Sequence, residues 1–346
     1  MRILLPISKS IANRLLILQA IHGDGLLTVS ADLPDDVLLL HRALTTFETL
    51  KTSETLSTPR LDVGNSGTAM RFLTAYCAQL EGQRTILDGI ERMRQRPIGQ
   101  LVDALREIGA QIDYLGEEGF PPLRITGCIL DKNRVVRIDD PLSTQFVSAL
   151  LLIGANVQTN STSPYIDITR KIIDQYSCKF KIQNSEFIIE KDWSSAAFWY
   201  EHVALHGGEI ELPGLFRDSL QGDKVVADIF AQLGVITQYT EEGIRIRRTQ
   251  AILNSKFLIQ NFSPCPDLYP AVALTCEKLG FRLEATGVES LPLKESDRLR
   301  AVHEHRTDHD HRMAMALLVA GYPVDDTECI RKSYPQFLEE YNKLLR

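Results

Sequence analysis

The sequence predicts an α/β protein of two domains, built from six repeated units of strand, helix, strand, helix and closing strands. Three observations predict it. The first is an internal repeat, in which six segments each open with small or polar residues and continue as an Ala- and Leu-rich helix; they begin near Ser8, Ser66, Ser143, Asp192, Asp267 and Asp310. The second is that a more amphipathic helix follows each of these, near Asp35, Pro97, Tyr165, Gln221, Glu295 and Ser333. The third is length: 346 residues correspond to about two domains at roughly 150 residues each, hence three units per domain.

The two helix classes differ in where they belong. Leu15, Leu16, Ile17, Leu18 and Ala20 leave almost no polar face, and neither do Met313, Ala314, Met315, Ala316, Leu317, Leu318 and Val319. A helix apolar all round is buried. In the second class Ile98, Leu101, Leu105 and Ile108 form one stripe at helical spacing. Such helices lie outside, so helices occupy the centre with sheets and amphipathic helices around them. Ile108-Gly109 and Leu233-Gly234 end helices with a glycine C-cap. Short β-like stretches fall at 85–87, 123–126, 187–189, 209–212 and 244–246. No low-complexity linker divides the chain, and the boundary is expected near 190–192.

Composition narrows the function. Lys plus Arg number 38 and Asp plus Glu 45, a net charge of −7, which argues against a nucleic-acid binder. It leaves small anionic ligands open, because those sense local charge. The longest apolar run is 149–155, short of the ~20 residues of a membrane span, and residues 1–7 are too short for a secretory core. The six cysteines (Cys77, Cys128, Cys178, Cys265, Cys276 and Cys329) contain no CxxC pair. They read as reduced, structural thiols of a cytoplasmic protein.

The chemical signal lies at helix starts. A helix N-terminus presents unpaired N–H groups and about half a positive charge, so a cation there is unfavourable unless an anion is bound. Lys9, Ser10 and Arg14 open the first helix in Ser8-Lys9-Ser10-Ile11-Ala12-Asn13-Arg14. Gly64-Asn65-Ser66-Gly67-Thr68-Ala69-Met70-Arg71 is a glycine-rich entry whose backbone amides can approach an anion, although such turns also serve as plain caps. Arg96 precedes Pro97, a helix-start residue; Arg92 and Arg94 are expected to be solvated. Arg312 starts the sixth Ala/Leu-rich helix after Asp310-His311. Lys294-Glu295-Ser296-Asp297-Arg298 mixes both signs and, alone, would be an ion-paired surface helix.

Asp267, after Pro266, is by default an N-cap. Glu295, between Lys294 and Arg298, is held ionised. Either serves as an acid or base if the helix ends converge. His303, His305, His309 and His311 crowd one segment, but no accompanying ligand pattern supports a metal site. His311, beside Arg312, is retained as a proton carrier.

Together with Ser143-Thr144-Gln145-Phe146, Pro164-Tyr165-Ile166-Asp167, Asp192-Trp193-Ser194-Ser195-Ala196 and Leu220-Gln221-Gly222-Asp223, these stretches run from end to end in one order. That ordered set resembles the 5-enolpyruvylshikimate-3-phosphate synthases of the enolpyruvyl transferase family. The resemblance implies a two-domain inside-out α/β barrel of six βαβαββ units. One domain would span residues 8–190, the other 1–7 with 191–346, and the active site would lie in the cleft between them. The implied reaction moves the enolpyruvyl group of phosphoenolpyruvate to the 5-hydroxyl of shikimate 3-phosphate and releases phosphate. Neither metal nor organic cofactor is implied, nor nucleic acid or membrane, and the expected state is a monomer.

By the same resemblance, shikimate 3-phosphate would be held by Lys9, Ser10, Arg14, Ser143, Thr144, Gln145, Tyr165, Asp267 and Lys294. Phosphoenolpyruvate would be held by Lys9, Gly67, Arg96, Gln145, Arg298, Arg312 and Lys332. Asp267 would take the hydroxyl proton, Glu295 or Lys9 would protonate the methylene carbon, and His311 would assist. A related transferase acting on UDP-N-acetylglucosamine and a non-catalytic phospho-ligand-binding paralogue are the alternatives. Ser8-Lys9-Ser10 and Asp310-His311-Arg312 favour the shikimate branch over the first; the intact Lys9, Asp267, Glu295 and His311 speak against the second.

The sequence departs from the family pattern at four places. Ile7 and Lys191 replace glycines at the two crossovers, Phe72 replaces a proline and Thr144 a serine. The largest departure is at 300–308, where the fifth unit's second helix meets the sixth unit with no room for closing strands. A true loss would strip a sheet of edge strands and expose core, so missing residues are the expected explanation there.

Overall fold

The Ala/Leu-rich segments form helices because their first turns are capped and their sides are apolar throughout. In the computed structural model, which describes residues 1–28, 30, 33–51, 58–180, 189–249 and 256–344, Ser66, Ser143, Asp192 and Asp310 each sit just before a helix. Each side-chain oxygen accepts a hydrogen bond from a first-turn amide: Ala69, Gln145, Ser195 and Arg312 respectively. The expected helix near Asp267 begins differently. Residues Pro266–Leu268 form a 3₁₀ turn leading into the helix, and Asp267 makes no capping bond.

The chain divides into two units, Ser10–Ser30 with Asp36–Phe187, and Met1–Lys9 with Ala31–Asp35 and Ile188–Arg346. The first crossing falls after Lys9, and a short piece ending at Asp35 groups with the second unit.

The first unit carries α1 (Lys9–His22), α2 (Asp35–Lys51), α3 (Gly67–Ala78), α4 (Glu91–Arg94), α5 (Gly99–Glu107), α6 (Thr144–Leu152) and α7 (Pro164–Phe180). Its strands are β1 (Arg60–Asp62), β2 (Arg84–Asp88), β3 (Gln111–Tyr114), β4 (Leu123–Thr126), β5 (Val136–Arg137) and β6 (Val157–Gln158). β1 and β2 run parallel, β4 joins the other side of β2 antiparallel, and β3 completes the order β1-β2-β4-β3. The predicted strands at 85–87 and 123–126 lie in β2 and β4. The one at 187–189 lies almost wholly outside the described residues.

In the second unit are α8 (Trp193–His206), α9 (Val226–Ala231), α10 (Tyr269–Leu279), α11 (Arg298–Glu304), α12 (His311–Val319) and α13 (Phe337–Leu344). Strands β7 (Glu209–Pro213), β8 (Val235–Tyr239) and β9 (Gly243–Arg248) form an antiparallel sheet of order β7-β9-β8. The N-terminal segment adds to its free side through a parallel bridge from Arg2 to Glu211. β10 (Phe257–Asn261) and β11 (Arg282–Thr286) pair in parallel as a separate two-stranded sheet. α8, α10 and α12 pack on one another, with Trp193, Phe198, Trp199, Leu274, Met313 and Leu317 fully buried. Truncating one of the aromatics among them would cost about 3–5 kcal/mol.

Residues 300–308, where missing residues are expected, join α11 to α12 as one short connection. The chain passes directly from α11 to α12. His305 closes α11 in the left-handed region (φ 52°), and Asp308 and His309 share that conformation (φ 47° and 57°). Core is not laid bare at the join: Ala301 is fully buried and Val302 nearly so. His309 bonds Asp326 at 2.6 Å, Thr307 donates to Asp325, and His305 stacks on Tyr322 with ring centres 3.9 Å apart. The fifth unit is therefore truncated after α11. The sixth, among the described residues, carries helices without strands. The six units are not equivalent.

One core residue breaks the apolar pattern. Glu201 on α8 is fully buried, and neither carboxylate oxygen has a hydrogen-bond partner. Burial raises its pKa well above the ordinary 4.5. The folded protein holds it protonated while the unfolded chain ionises it, so its contribution to stability is full below pH 4.5 and is lost as pH rises through the folded value. Glu201→Gln removes that loss. Its advantage in thermal unfolding should grow as pH rises above 4.5, by up to about 1.4 kcal/mol per unit of raised pKa. An advantage independent of pH would contradict this reading.

Candidate functional site

The helix starts of each unit gather the residues singled out by sequence, and the two sets are charged differently. In the second unit Arg298, at the start of α11, is 1% exposed and is surrounded by carboxylates. Its Nε donates to Asp310 at 2.8 Å, one terminal nitrogen to Asp267 at 2.8 Å and the other to Glu295 at 3.1 Å. Burial would lower its pKa, but Asp310, Asp267 and Glu295 raise it instead, so it stays a cation.

Asp267 lies at the mouth of α10. Besides Arg298 it accepts from Arg312 at 2.8 Å and from Lys294 at 3.3 Å. Burial pushes its carboxyl up, but Arg312, then Lys294 and Arg298, hold it well below the usual carboxylate range. Glu295 also accepts from Lys332 at 2.8 Å. Lys9 and Lys332 both act electrostatically on His311, so Lys9 faces the same cluster. Four cations (Lys294, Arg298, Arg312 and Lys332) thus meet three carboxylates, those of Asp267, Glu295 and Asp310, with Lys9 near them through His311.

His311, expected as a proton carrier, lies beside this cluster. It is 1% exposed and neither ring nitrogen has a hydrogen-bond partner. Burial, then Lys9, Arg312 and Lys332, push its pKa well below the ordinary range. It is a neutral ring under physiological conditions. The other three histidines do not join it: His303 is exposed, His305 bonds Glu277 and His309 bonds Asp326.

In the first unit the two buried arginines of the predicted site, Arg14 and Arg96, bond no carboxylate among the described residues. Arg14 is buried and bonds only neutral oxygens, namely Thr169 Oγ1 at 2.7 Å, the Ser10 carbonyl at 2.8 Å and hydroxyl at 3.0 Å, the Tyr165 carbonyl at 3.0 Å and the Ser148 hydroxyl at 3.3 Å. Burial lowers its pKa to about 10. Arg96 is 6% exposed. Its described bond is a 3.4 Å contact to the Asn65 carbonyl, and its Nε is buried without a partner. The guanidinium lies flat against Gly67, where an added Cβ would stand 2.6 Å from a terminal nitrogen. Ser143 caps α6, Thr144 is its first residue, and Gln145 donates to Thr68 at 2.9 Å. Arg94, expected to be solvated, is exposed and also bonds Asp88 at 2.8 Å. Ser148 and Thr169 were missed by sequence reasoning. Their signal is spacing, one turn after Thr144 and one turn after Tyr165.

A profile of the family described as EPSP synthase (3-phosphoshikimate 1-carboxyvinyltransferase) matches residues 2–305 and 302–341. The chain belongs to the EPSP synthase family. A 3-phosphoshikimate 1-carboxyvinyltransferase of Bacteroides fragilis (strain YCH46) is 36% identical over 399 residues, covering 98% of this chain and 94% of the relative. One of Vibrio cholerae serotype O1 (strain M66-2) is 32% identical over 416 residues, covering 99% and 96%. EPSP synthase from Acinetobacter baumannii superposes with a TM-score of 0.67 at 20% identity, covering 99% of this chain and 95% of that one, a likeness of fold. The two stretches of the EPSP synthase profile meet at 302–305, the join described above, and both alignments are longer than the 346 residues of this chain. Every site residue lies within a matched stretch.

Asp310 is the structural test of the second cluster, because it binds Arg298 and caps α12 at once. Asp310→Ala should destabilise the protein by about 3–5 kcal/mol in urea unfolding, and Asp310→Asn, which keeps a capping oxygen, by less. A loss under ~1 kcal/mol for the alanine variant would show that the network is not coupled to folding.

Proposed function

We propose that this protein transfers the enolpyruvyl group of phosphoenolpyruvate to the 5-hydroxyl of shikimate 3-phosphate, releasing phosphate. The observation that carries the proposal is the pair of buried guanidiniums, Arg14 and Arg96, whose described bonds reach only neutral oxygens. A buried cation without an anion is costly, and an anionic ligand relieves that cost. Family membership and the relatives' names supply the ligands: two anionic small molecules.

Lys9, Ser10, Arg14, Ser143, Thr144, Gln145, Tyr165, Asp267 and Lys294 hold shikimate 3-phosphate in this reading. Phosphoenolpyruvate is held by Lys9, Gly67, Arg96, Gln145, Arg298, Arg312 and Lys332. In the free protein, Asp267 and Glu295 occupy the cations that the substrates need. Substrate phosphate and carboxylate groups draw Lys294, Arg312 and Lys332 away, which raises the basicity of the two acids. Asp267 then accepts the 5-hydroxyl proton while Glu295 or Lys9 delivers a proton to the methylene carbon. The hydroxyl oxygen bonds to C2, giving a tetrahedral adduct. Loss of the methyl proton and of phosphate restores the double bond. Arg298, bound to three carboxylates, has the most committed donors of this set, so besides facing phosphoenolpyruvate it positions Asp267 and Glu295. His311, neutral, supports the ring of charges rather than carrying protons.

The finer arrangement, an inside-out α/β barrel in which helices form the centre of each unit, is part of the same proposal. The burial of α8, α10 and α12 on all sides supports it. Among the described residues no helix is long and apolar enough to cross a membrane. The buried thiols Cys77, Cys265 and Cys276 support a reducing, cytoplasmic setting.

The test is phosphate release from phosphoenolpyruvate with shikimate 3-phosphate, with UDP-N-acetylglucosamine, or with neither. Release with shikimate 3-phosphate alone is expected; release only with the sugar nucleotide, or none, refutes the proposal. Lys9→Ala should lower turnover by at least ~100-fold with the fold intact. Gly67→Ala should raise KM for phosphoenolpyruvate roughly tenfold, about 1.4 kcal/mol, because its Cβ displaces Arg96. An unchanged KM would remove Arg96 from the phosphoenolpyruvate set.

A further inference from the structure

We propose that the outer edge of β11 is an interface, and that its occupant is the same edge of a second copy of this chain, paired antiparallel about Leu283. The repeat itself marks the edge. In the second repeat β1 pairs parallel with β2, and the other side of β2 is closed by antiparallel β4. The fourth repeat does the same, with the Arg2 bridge parallel to β7 and β9 antiparallel on the far side. In the fifth repeat β10 lies parallel to β11, and among the described residues the sheet stops there. β11 therefore stands where β2 and β7 stand, without the strand that closes them.

The backbone on that side is poised to pair. The Arg282 amide donates to Lys256 and the Thr286 carbonyl accepts from Phe262, both on the β10 side at 2.8 Å. By alternation the N–H and C=O groups of Leu283 and Ala285 point outward, and among the described residues no backbone bond reaches them. Burial agrees. β2 buries Thr85 and Leu87, and β7 buries Ile210 and Leu212, whereas no residue of β11 is buried. Where β1 shows Arg60 and Asp62 to solvent, β10 shows Phe257 and Ile259, the latter 61% exposed. β11 also lacks the proline or lysine that blunts an edge.

Charge selects the occupant and the register. A two-fold axis through the edge gives antiparallel pairing, the polarity that β4 and β9 supply. Centred on Leu283, the pairing sets Arg282 opposite Glu284 of the second copy, twice over. Centred on Glu284 it opposes two carboxylates, and centred on Ala285 it leaves both charges unmatched. A single strand that is its own charge complement favours a second copy over an unrelated partner. This proposal departs from the monomer that the family resemblance implies.

Sedimentation equilibrium of the full chain tests this. A dimer is expected. Glu284→Arg should weaken it at least ~tenfold, and Arg282→Glu combined with Glu284→Arg should restore it, because the swap preserves complementarity. Ala285→Pro, which deletes an outward N–H, should give a monomer with an unchanged circular dichroism spectrum. A monomeric wild type overturns the proposal. So does a dimer indifferent to Glu284→Arg, or a double variant that stays monomeric.

Discussion

The buried Arg298 guanidinium is the interaction on which the second unit's chemistry rests. It ties the start of α11 to the mouth of α10 through Asp267 and to the cap of α12 through Asp310. Three helix starts are thereby held by one planar group, whose fork fits several carboxylates at once. A buried ion cluster of this kind is poor evidence of net stability. Its value is geometric: it places Asp267 and Glu295 among Lys294, Arg312 and Lys332.

The two units solve the problem of a buried cation in opposite ways. In the second, carboxylates of the protein neutralise the cations while no ligand is bound. In the first, Arg14 and Arg96 are left with hydroxyls and carbonyls. In the proposed function, substrate anions complete the first set and compete with carboxylates in the second. That competition gives Asp267 a reason to change from a salt-bridged acid, well below its ordinary pKa, into a base.

Much of the helical framework was legible because its signals are local. Ser66, Ser143, Asp192 and Asp310 each cap the helix that follows within a few residues, and an all-apolar helix announces its own burial. Asp267 was not legible as a network member. Its partners lie 27, 31 and 45 residues away, and Pro266 made an N-cap the natural reading. The neutrality of His311 was equally hidden, since it follows from burial and from Lys9 and Lys332 at the far ends of the chain. The motif placed Arg298 in the site but could not show that its donors are already taken. The join at 300–308 was visible as a shortage of residues. That the chain closes it compactly, through left-handed His305, Asp308 and His309, depends on tertiary contacts with Asp325, Asp326 and Tyr322.

The central claim is that Asp267 is masked in the free protein and released when substrate recruits its cations. The most direct measurement is the NMR titration of the Asp267 side-chain carboxyl carbon, free and with shikimate 3-phosphate bound. The account predicts a midpoint well below the ordinary 3.8 in the free protein and a rise on binding. A midpoint that stays put or falls when the ligand binds would contradict it.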